Sequence, residues 1–478
     1  MDIWQALWNQ TRPAFRQQRT FDRAGRLALS QLVCLGRHTL TQLIATSGRH
    51  AVDWSADFRL FEEARVQPDA LFRVARQAVE TQLPPGAPFV ALMDDTLFRK
   101  RGRHIAGTAW RRDPLGPPFQ TNLVWGQRFL QLAAALPDRQ GPSPARAIPI
   151  DFRHCPSPPK PRRNAPPEAW QTFRDRQKTD NLSARGVARL QTLRQALDED
   201  SGGRERALIV AVDGSFTNRT VVQPLPPRTA LIGRLRKDAK LYALPDGNPT
   251  AGRGRKKAYG VRLPTPEQIR QDDAFPWQTV RVFAAGRFHD VRIKTVAPLR
   301  WRPAGGERVL RLVVIAPLAY RPTQHARLLY RDPVYLICTD PSLPLNRLVQ
   351  TALWRWEVEV NFRDEKTLLG TEQPQVRTPQ AVETVPPFLV AAYSFLLLAA
   401  QQTTTLPHTL HVLQPKWARK HNAQRPSTAQ LISLLREQLW GLGMERRNFS
   451  GFVNGSSPTA KPLKIENALA SAVFYASQ

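Results

Sequence analysis

Two acidic residues in this chain close strongly apolar runs: Asp95 in PFVALMDDT (88–96) and Asp213 in ALIVAVDGSF (207–216). An acid at the end of a buried strand leaves the sheet and faces a cleft. Asp at a strand end is also ordinary turn chemistry, but two such acids on runs that are among the most buried-looking in the chain favour a site. A third acid, Glu359, lies in TALWRWEVEVNFRDEKTLLG (351–370), with Arg355 four residues before it and Lys366 seven after. At helical periodicity these three fall near one face, which then presents base, acid, base. A surface Arg/Glu pair would stabilise such a helix by only a few tenths of a kcal/mol. Trp354, Trp356, Val358, Val360 and Phe362, however, make the helix apolar on several sides. An acid on a helix buried that way needs a partner or a metal. Three carboxylates from two strand ends and one helix suit two hard divalent cations, magnesium first, which take oxygen ligands and can clamp the attacking and leaving oxygens of a phosphodiester.

The elements that must position these residues follow from patterning. Residues 1–84 carry helical periodicity, with Leu27, Leu29, Leu32, Val33, Leu40, Leu43 and Ile44 able to form one buried stripe. Within that region Gly36 to Gly48 reads equally as a helix-turn-helix or as an ordinary helical hairpin. Short apolar runs at 88–96, 104–110 and 119–136 read as three successive strands. A Pro-rich basic loop (156–167) comes next, then one long helix from Ala169 to Leu197 and the strand that ends near Asp213. Strand-like text at 279–296, 308–317 and 333–340 marks a β-rich stretch. Helical patterning returns near Asn346, and Ser427 with Gln430 fits a capping box before LISLLREQLW. The fold class expected is α/β. The apolar run Phe388 to Ala400 falls short of the roughly 20 residues that span a bilayer and reads as a buried helix.

Lysine plus arginine outnumber aspartate plus glutamate 69 to 39, for a formal charge of +30. Such a surplus attracts a polyanion, and nucleic acid is the expected partner. A GC-rich genome would also enrich Arg, Ala and Pro, but would not deplete acids. The basic segments 99–104 (RKRGRH), 233–242 (GRLRKDAKLY) and 252–260 (GRGRKKAYG) are candidates to grip phosphates, Arg99, Lys100 and Arg101 foremost. Cys34, Cys155 and Cys338 are scattered, with no zinc-ligand spacing, which points to a reducing cytoplasm. The first residues lack a secretory signal pattern. GRHIAGTAW (102–110) has no P-loop spacing, and His104 and His154 read as structural histidines.

The order MDDT, VDGSF, RWEVEVNFRDEK resembles the insertion-sequence transposases of the DDE superfamily that carry the Tyr-Arg-Glu-Lys signature, spaced Y-x2-R-x3-E-x6-K. Placed on that pattern, the acids are Asp95, chosen over Asp94 because Thr96 follows it, then Asp213 and Glu359. Glu357 and Glu365 lack the flanking Arg and Lys. Arg355 and Lys366 fall on the signature's Arg and Lys, where they would contact DNA, while Ala352 stands where the Tyr belongs, with Trp354 or Trp356 the nearest aromatics. The resemblance implies a ribonuclease-H-like core holding two Mg²⁺ or Mn²⁺ ions. It implies a β-rich insertion in the 359 − 213 = 146 residues between the second Asp and the Glu. The division expected is a helical DNA-binding region (1–85), core (86–220), insertion (221–344), core with the Glu helix (345–400) and a helical C-terminal region (401–478). Cut-and-paste transposition by a dimer on terminal inverted repeats is the implied activity, in a bacterial cytoplasm at the nucleoid, with neither a membrane nor a small-molecule substrate involved. A DNA-binding regulator derived from a transposase and a nuclease without strand transfer are the alternatives.

Overall fold

A strand whose residues are apolar on both faces is built to be covered on both faces, and β1 (Phe89–Arg99) takes an interior place in the sheet for that reason. The structure, a computed structural model, describes residues 1–113, 116–117, 119–139, 141–245, 257–321, 325–404 and 425–445. Five helices precede β1: α1 (Asp2–Asn9), α2 (Gln18–Val33), α3 (Leu40–Thr46), α4 (Ser55–Glu62) and α5 (Pro68–Gln82). After it come β2 (Ala109–Arg112), β3 (Leu123–Pro137) and β4 (Ala145–His154). Next are α6 (Pro167–Thr179), α7 (Leu182–Glu199), β5 (Leu208–Val212), α8 (Arg219–Val222) and β6 (Thr229–Arg234). A mostly β stretch holds β7 (Leu241–Tyr242), α9 (Pro266–Gln271), β8 (Gln278–Ala284), β9 (Arg287–Trp301), β10 (Leu310–Ile315), β11 (Ala319–Tyr320), β12 (Leu329–Tyr330) and β13 (Val334–Cys338). The last helices are α10 (Leu345–Trp354), α11 (Trp356–Thr367), α12 (Pro379–Thr404) and α13 (Thr428–Glu445).

Around β1 the pairing is antiparallel to β3 and parallel to β5, with β4 antiparallel to β3 and β6 parallel to β5. That is the α/β, ribonuclease-H-like core expected. β6 falls beyond residue 220, the expected end of the first core segment, yet it pairs as a core strand. Most of the β-rich stretch continues the core sheet: β13 pairs antiparallel with β6, β10 with β13, and β9 with β10, so one mixed sheet runs on from the core, while β11 and β12 pair only with each other as a two-stranded sheet.

The two faces of this sheet are covered by different helices. Met93 and Phe216 pack against Gly186 of α7 on one face. Val90 and Leu92 share the other with Leu348 and Val349 of α10 and Val358 and Phe362 of α11. The N-terminal helices close over α12 and share its core: Trp8 stacks on Trp4 at 5.5 Å and meets Phe388 and Phe395 edge-on. Gly36 to Gly48 holds one helix, α3, and not two. Helix α12 is long and apolar enough to cross a membrane by length and composition, but its most apolar stretch is 94% buried inside the protein.

Local chemistry sets several boundaries. The long helix expected from Ala169 breaks in two because the Asn181 side chain accepts from the Ala184 backbone N–H at 3.0 Å and starts α7 afresh. Strand β4, unforeseen from its text ARAIPIDFRH, is fixed by pairing with β3. The expected strand 279–296 is part of the hairpin β8–β9, whose two-residue turn Ala285–Gly286 has positive φ at both positions. The capping box before α13 forms as read: Ser427 Oγ accepts from Gln430 N at 3.3 Å, and Gln430 Oε1 from Ser427 N at 2.8 Å. Most of the basic segment 252–260, and everything past residue 445, lie outside the described residues.

Trp8 is 1% exposed and joins α1 to α12. Trp8→Ala is expected to lower unfolding stability by about 3–5 kcal/mol, read as a shift of the urea midpoint with an unchanged slope.

Candidate active site

Asp94 and Asp95 do not end their strand; β1 runs on to Arg99, in continuous register with β3. Successive side chains along a strand point to opposite faces, so the two aspartates part company. Asp94 shares its face with Val90 and Leu92, the side on which α10 and α11 pack. Asp95 shares its face with Met93, and its Oδ2 lies 3.2 Å from Nε of Arg128 on β3. Sequence order alone favours Asp95, on the Thr96 beside it. Strand parity, once β1 is known to continue to Arg99, sets Asp94 on the face of the Glu359 helix.

Asp213 follows β5 directly, one residue past the Met93–Val212 pair, so the parallel register brings it level with Asp94. Its Oδ1 accepts from Ser215 N at 2.9 Å, Ser215 Oγ at 2.7 Å and Phe216 N at 3.3 Å. This turn fixes the carboxylate at the strand end.

The stretch expected as one helix around Glu359 is two, α10 and α11, meeting at Arg355. From that junction the guanidinium reaches both ways: Nη1 donates to Asp94 Oδ2 at 2.7 Å and Nη2 to Glu359 Oε1 at 2.9 Å. The side chains of Arg355 and Asp94 are 20% and 14% exposed, that of Glu359 38%. Burial pushes the Asp94 carboxyl up to about 7 and Asp213 adds to this, while Arg355 opposes it. Burial also raises Asp95, against the pull of Arg128. Glu357 accepts from Arg425 Nη2 at 2.7 Å, and Glu365 is wholly buried.

Asp94, Asp213 and Glu359 offer oxygen donors only, the chemistry a hard divalent cation takes. Among the described residues no three acidic, His or Cys side chains stand close enough to share an ion as they are placed. The Arg355 guanidinium instead lies between two of the acids and balances their charge. The donor set fits such an ion, with the space between Asp94 and Glu359 held by arginine.

The remaining expected residues divide. Lys366 Nζ sits 5.9 Å from the centre of the Phe98 ring, its pKa lowered by burial. Arg101 is exposed, and Arg99 pairs with Asp113 at 2.9 Å while keeping an exposed side chain. Lys100 does not face solvent: its Nζ donates to the carbonyls of Glu372 and Pro374 at 2.7 and 2.8 Å, tying β1 to the loop after α11. Ala352 packs into the core, and Trp354 donates its indole N–H to Ser143 O at 2.9 Å, which leaves Trp356, 62% exposed, as the outward aromatic.

A cavity of about 950 Å³ opens beside the Asp213 turn at Gly214 and Thr217 and runs between Arg234, Lys237, Lys240 and Trp301. Among the described residues those three cations have no carboxylate within ion-pair distance, whereas Arg236 and Arg270 are paired with Asp238 and Glu267. The segment 233–242, read as a basic loop, supplies one continuous side of this cavity, Arg234 to Lys240.

Compared with known protein families, residues 12–296, more than half of the 478, match the family described as "DDE superfamily endonuclease". The match takes in β1 with both its aspartates and Asp213, and stops before α11. No curated protein matches the chain.

Glu365 gives the site a pH signature of its own. Burial raises its carboxyl to about 8, against 4.5 for an ordinary glutamate. The unfolded chain gives up this proton near 4.5 and the folded one holds it to about 8, so its contribution turns unfavourable as pH rises through that window. Glu365→Gln is expected to match the parent protein near pH 4 and to exceed it in stability near pH 8. Urea unfolding at the two pH values checks this; a gap that does not widen with pH would contradict it.

Proposed function

This chain belongs to the DDE superfamily endonucleases, and on that premise we propose that it is a cut-and-paste DNA transposase whose metal-binding acids are Asp94, Asp213 and Glu359. The observation that carries this reading is the Arg355 bridge, which ties Asp94, and not Asp95, to Glu359, with Asp213 at the end of the neighbouring strand. Members of the superfamily generally work with divalent metals. Bound at these acids, Mg²⁺ or Mn²⁺ would lower the pKa of a water nucleophile and stabilise charge at phosphorus.

The protein's own part is to hold the scissile phosphate and exclude alternatives. Arg355 and Lys366 flank Glu359 and present cations to the phosphates next to the cut. Arg101 and Arg99 extend this positive edge past the end of β1. On the other side, Arg234, Lys237 and Lys240 line the cavity that starts at the Asp213 turn, and give a duplex backbone a path away from the acids. One set of acids serves hydrolysis at the element end and then attack by the freed 3′-hydroxyl on target DNA, because only the nucleophile changes between the steps. Paired cuts at two ends call for two such sites, hence a dimer on DNA.

Flanking DNA at the gene supplies the inverted repeats for a substrate. On it, Asp94→Asn, Asp213→Asn and Glu359→Gln are each expected to slow Mn²⁺-dependent cleavage about a hundredfold or more, several kcal/mol of transition-state stabilisation, with DNA binding kept. Asp95→Asn is expected to keep cutting; a dead Asp95→Asn beside an active Asp94→Asn would reverse the assignment. Labelled ends joined to target DNA report strand transfer, and cleavage without joining would reduce the activity to that of a nuclease. Replacing Arg234, Lys237 and Lys240 together by Ala is expected to flatten the salt dependence of DNA affinity by about 0.9 in log–log slope for each phosphate no longer neutralised. An unchanged slope would take DNA out of this cavity.

A further inference from the structure

Arg355 holds a position that two different charges could fill. Its guanidinium donates to Asp94 Oδ2 at 2.7 Å and to Glu359 Oε1 at 2.9 Å, so it lies between the two carboxylates assigned above to the metal. Both are drawn partly out of water, and two desolvated acids facing one site repel unless a cation sits with them. A divalent ion bound in that gap by the same oxygens competes with the guanidinium: the cations repel, and the oxygens that accept from Nη1 and Nη2 are ones the ion would use.

Arg355 has solvent beside it, its side chain being 20% exposed. It sits at the joint between α10 and α11, where the chain keeps helical dihedrals and Val358 N reaches back to Arg355 O at 3.1 Å. Trp356 beside it is 62% exposed, so the joint borders solvent. A guanidinium that gives up two carboxylates needs another anion, and a phosphate presented to this helix face offers the same two-pronged geometry.

We propose that Arg355 is an exchangeable counter-ion: it occupies the gap between Asp94 and Glu359 until a divalent cation loads, then turns to a DNA phosphate. This inference rests on the metal-binding reading above. The consequence is linkage. DNA, by drawing Arg355 away, tightens metal binding, and metal, by displacing it, tightens DNA binding by the same factor. The free enzyme would then be poorly loaded at metal concentrations that saturate the complex, which restrains cleavage until a duplex is seated.

The test is Mn²⁺ binding to the full chain by calorimetry and by the loss of the free-ion electron paramagnetic resonance signal, with and without a short duplex. The parent protein is expected to bind Mn²⁺ about tenfold or more tightly when the duplex is present, a coupling of the ordinary allosteric size. Arg355→Gln is expected to bind Mn²⁺ that tightly without DNA and to gain nothing from it. Arg355→Met keeps the apolar stem and is measured in parallel, so that a folding defect in one variant does not decide the matter. Equal Mn²⁺ affinity in the parent and both variants, with binding lost in Glu359→Gln, overturns the exchange and leaves the metal site standing. Absence of Mn²⁺ binding in every form, DNA present, overturns the metal reading and the exchange with it.

Discussion

Two adjacent aspartates in a strand covered on both faces are the constraint around which this molecule is arranged. Strand alternation sends them to opposite sides, and neither side is wet enough to solvate a carboxylate fully, so each must meet a cation. Arg128, on the neighbouring strand, answers Asp95. Arg355, from the far end of the chain, answers Asp94 and takes in Glu359 as well. Removing one partner of such a half-buried group leaves a desolvated charge behind, which is why these pairs constrain the fold more than exposed ion pairs do.

That demand explains why the helical joint at Arg355 is placed as it is. Helices α10 and α11 lie on the Val90–Leu92 face through Leu348, Val349, Val358 and Phe362, and this apolar packing sets the distance at which an arginine can span from helix to strand. The long β-rich stretch before α10 continues the sheet through β6 and β13. The chain therefore returns to the Asp94 face by extending one layer, and along the way it buries a separate apolar cluster that includes Leu241, Ile269, Leu299, Leu312 and Ile337. Trp8 packs on the middle of α12 through Phe388 and Phe395, and Lys100 pins β1 to the loop after α11 by giving its ammonium to two carbonyls. A lysine whose sequence setting suggests a phosphate grip thus serves to hold β1 and the segment after α11 together.

Much is legible from the text, each time because the signal is local. The apolar runs of β1 and β5, the buried character of Phe388 to Ala400, the capping box at Ser427 and the Arg-Glu spacing that forms a real ion pair at 2.9 Å all depend on neighbours within a few residues. The features that differ from expectation depend on partners or competitors that local patterning does not weigh. Strand β4 exists because β3 offers it an edge. The helix from Ala169 divides where an Asn cap competes with helical continuity, and the helix-turn-helix reading of Gly36 to Gly48 gives way to a single helix.

The choice between Asp94 and Asp95 separates the two kinds of knowledge. The sequence by itself determined that an acid pair ends an apolar run, that another acid ends a second run, and that a base-acid-base helix follows: residue types, order and spacing, all set by the covalent chain. It also determined a strongly cationic chain. Only the tertiary structure decided which aspartate faces the helix, because a one-residue step along a strand reverses the side-chain direction and the strand's true end at Arg99 is set by pairing with β3. It alone decided, too, that Arg355 would lie between two carboxylates 261 and 4 positions away in the chain, since long-range charge pairing follows from packing and leaves no trace in local spacing.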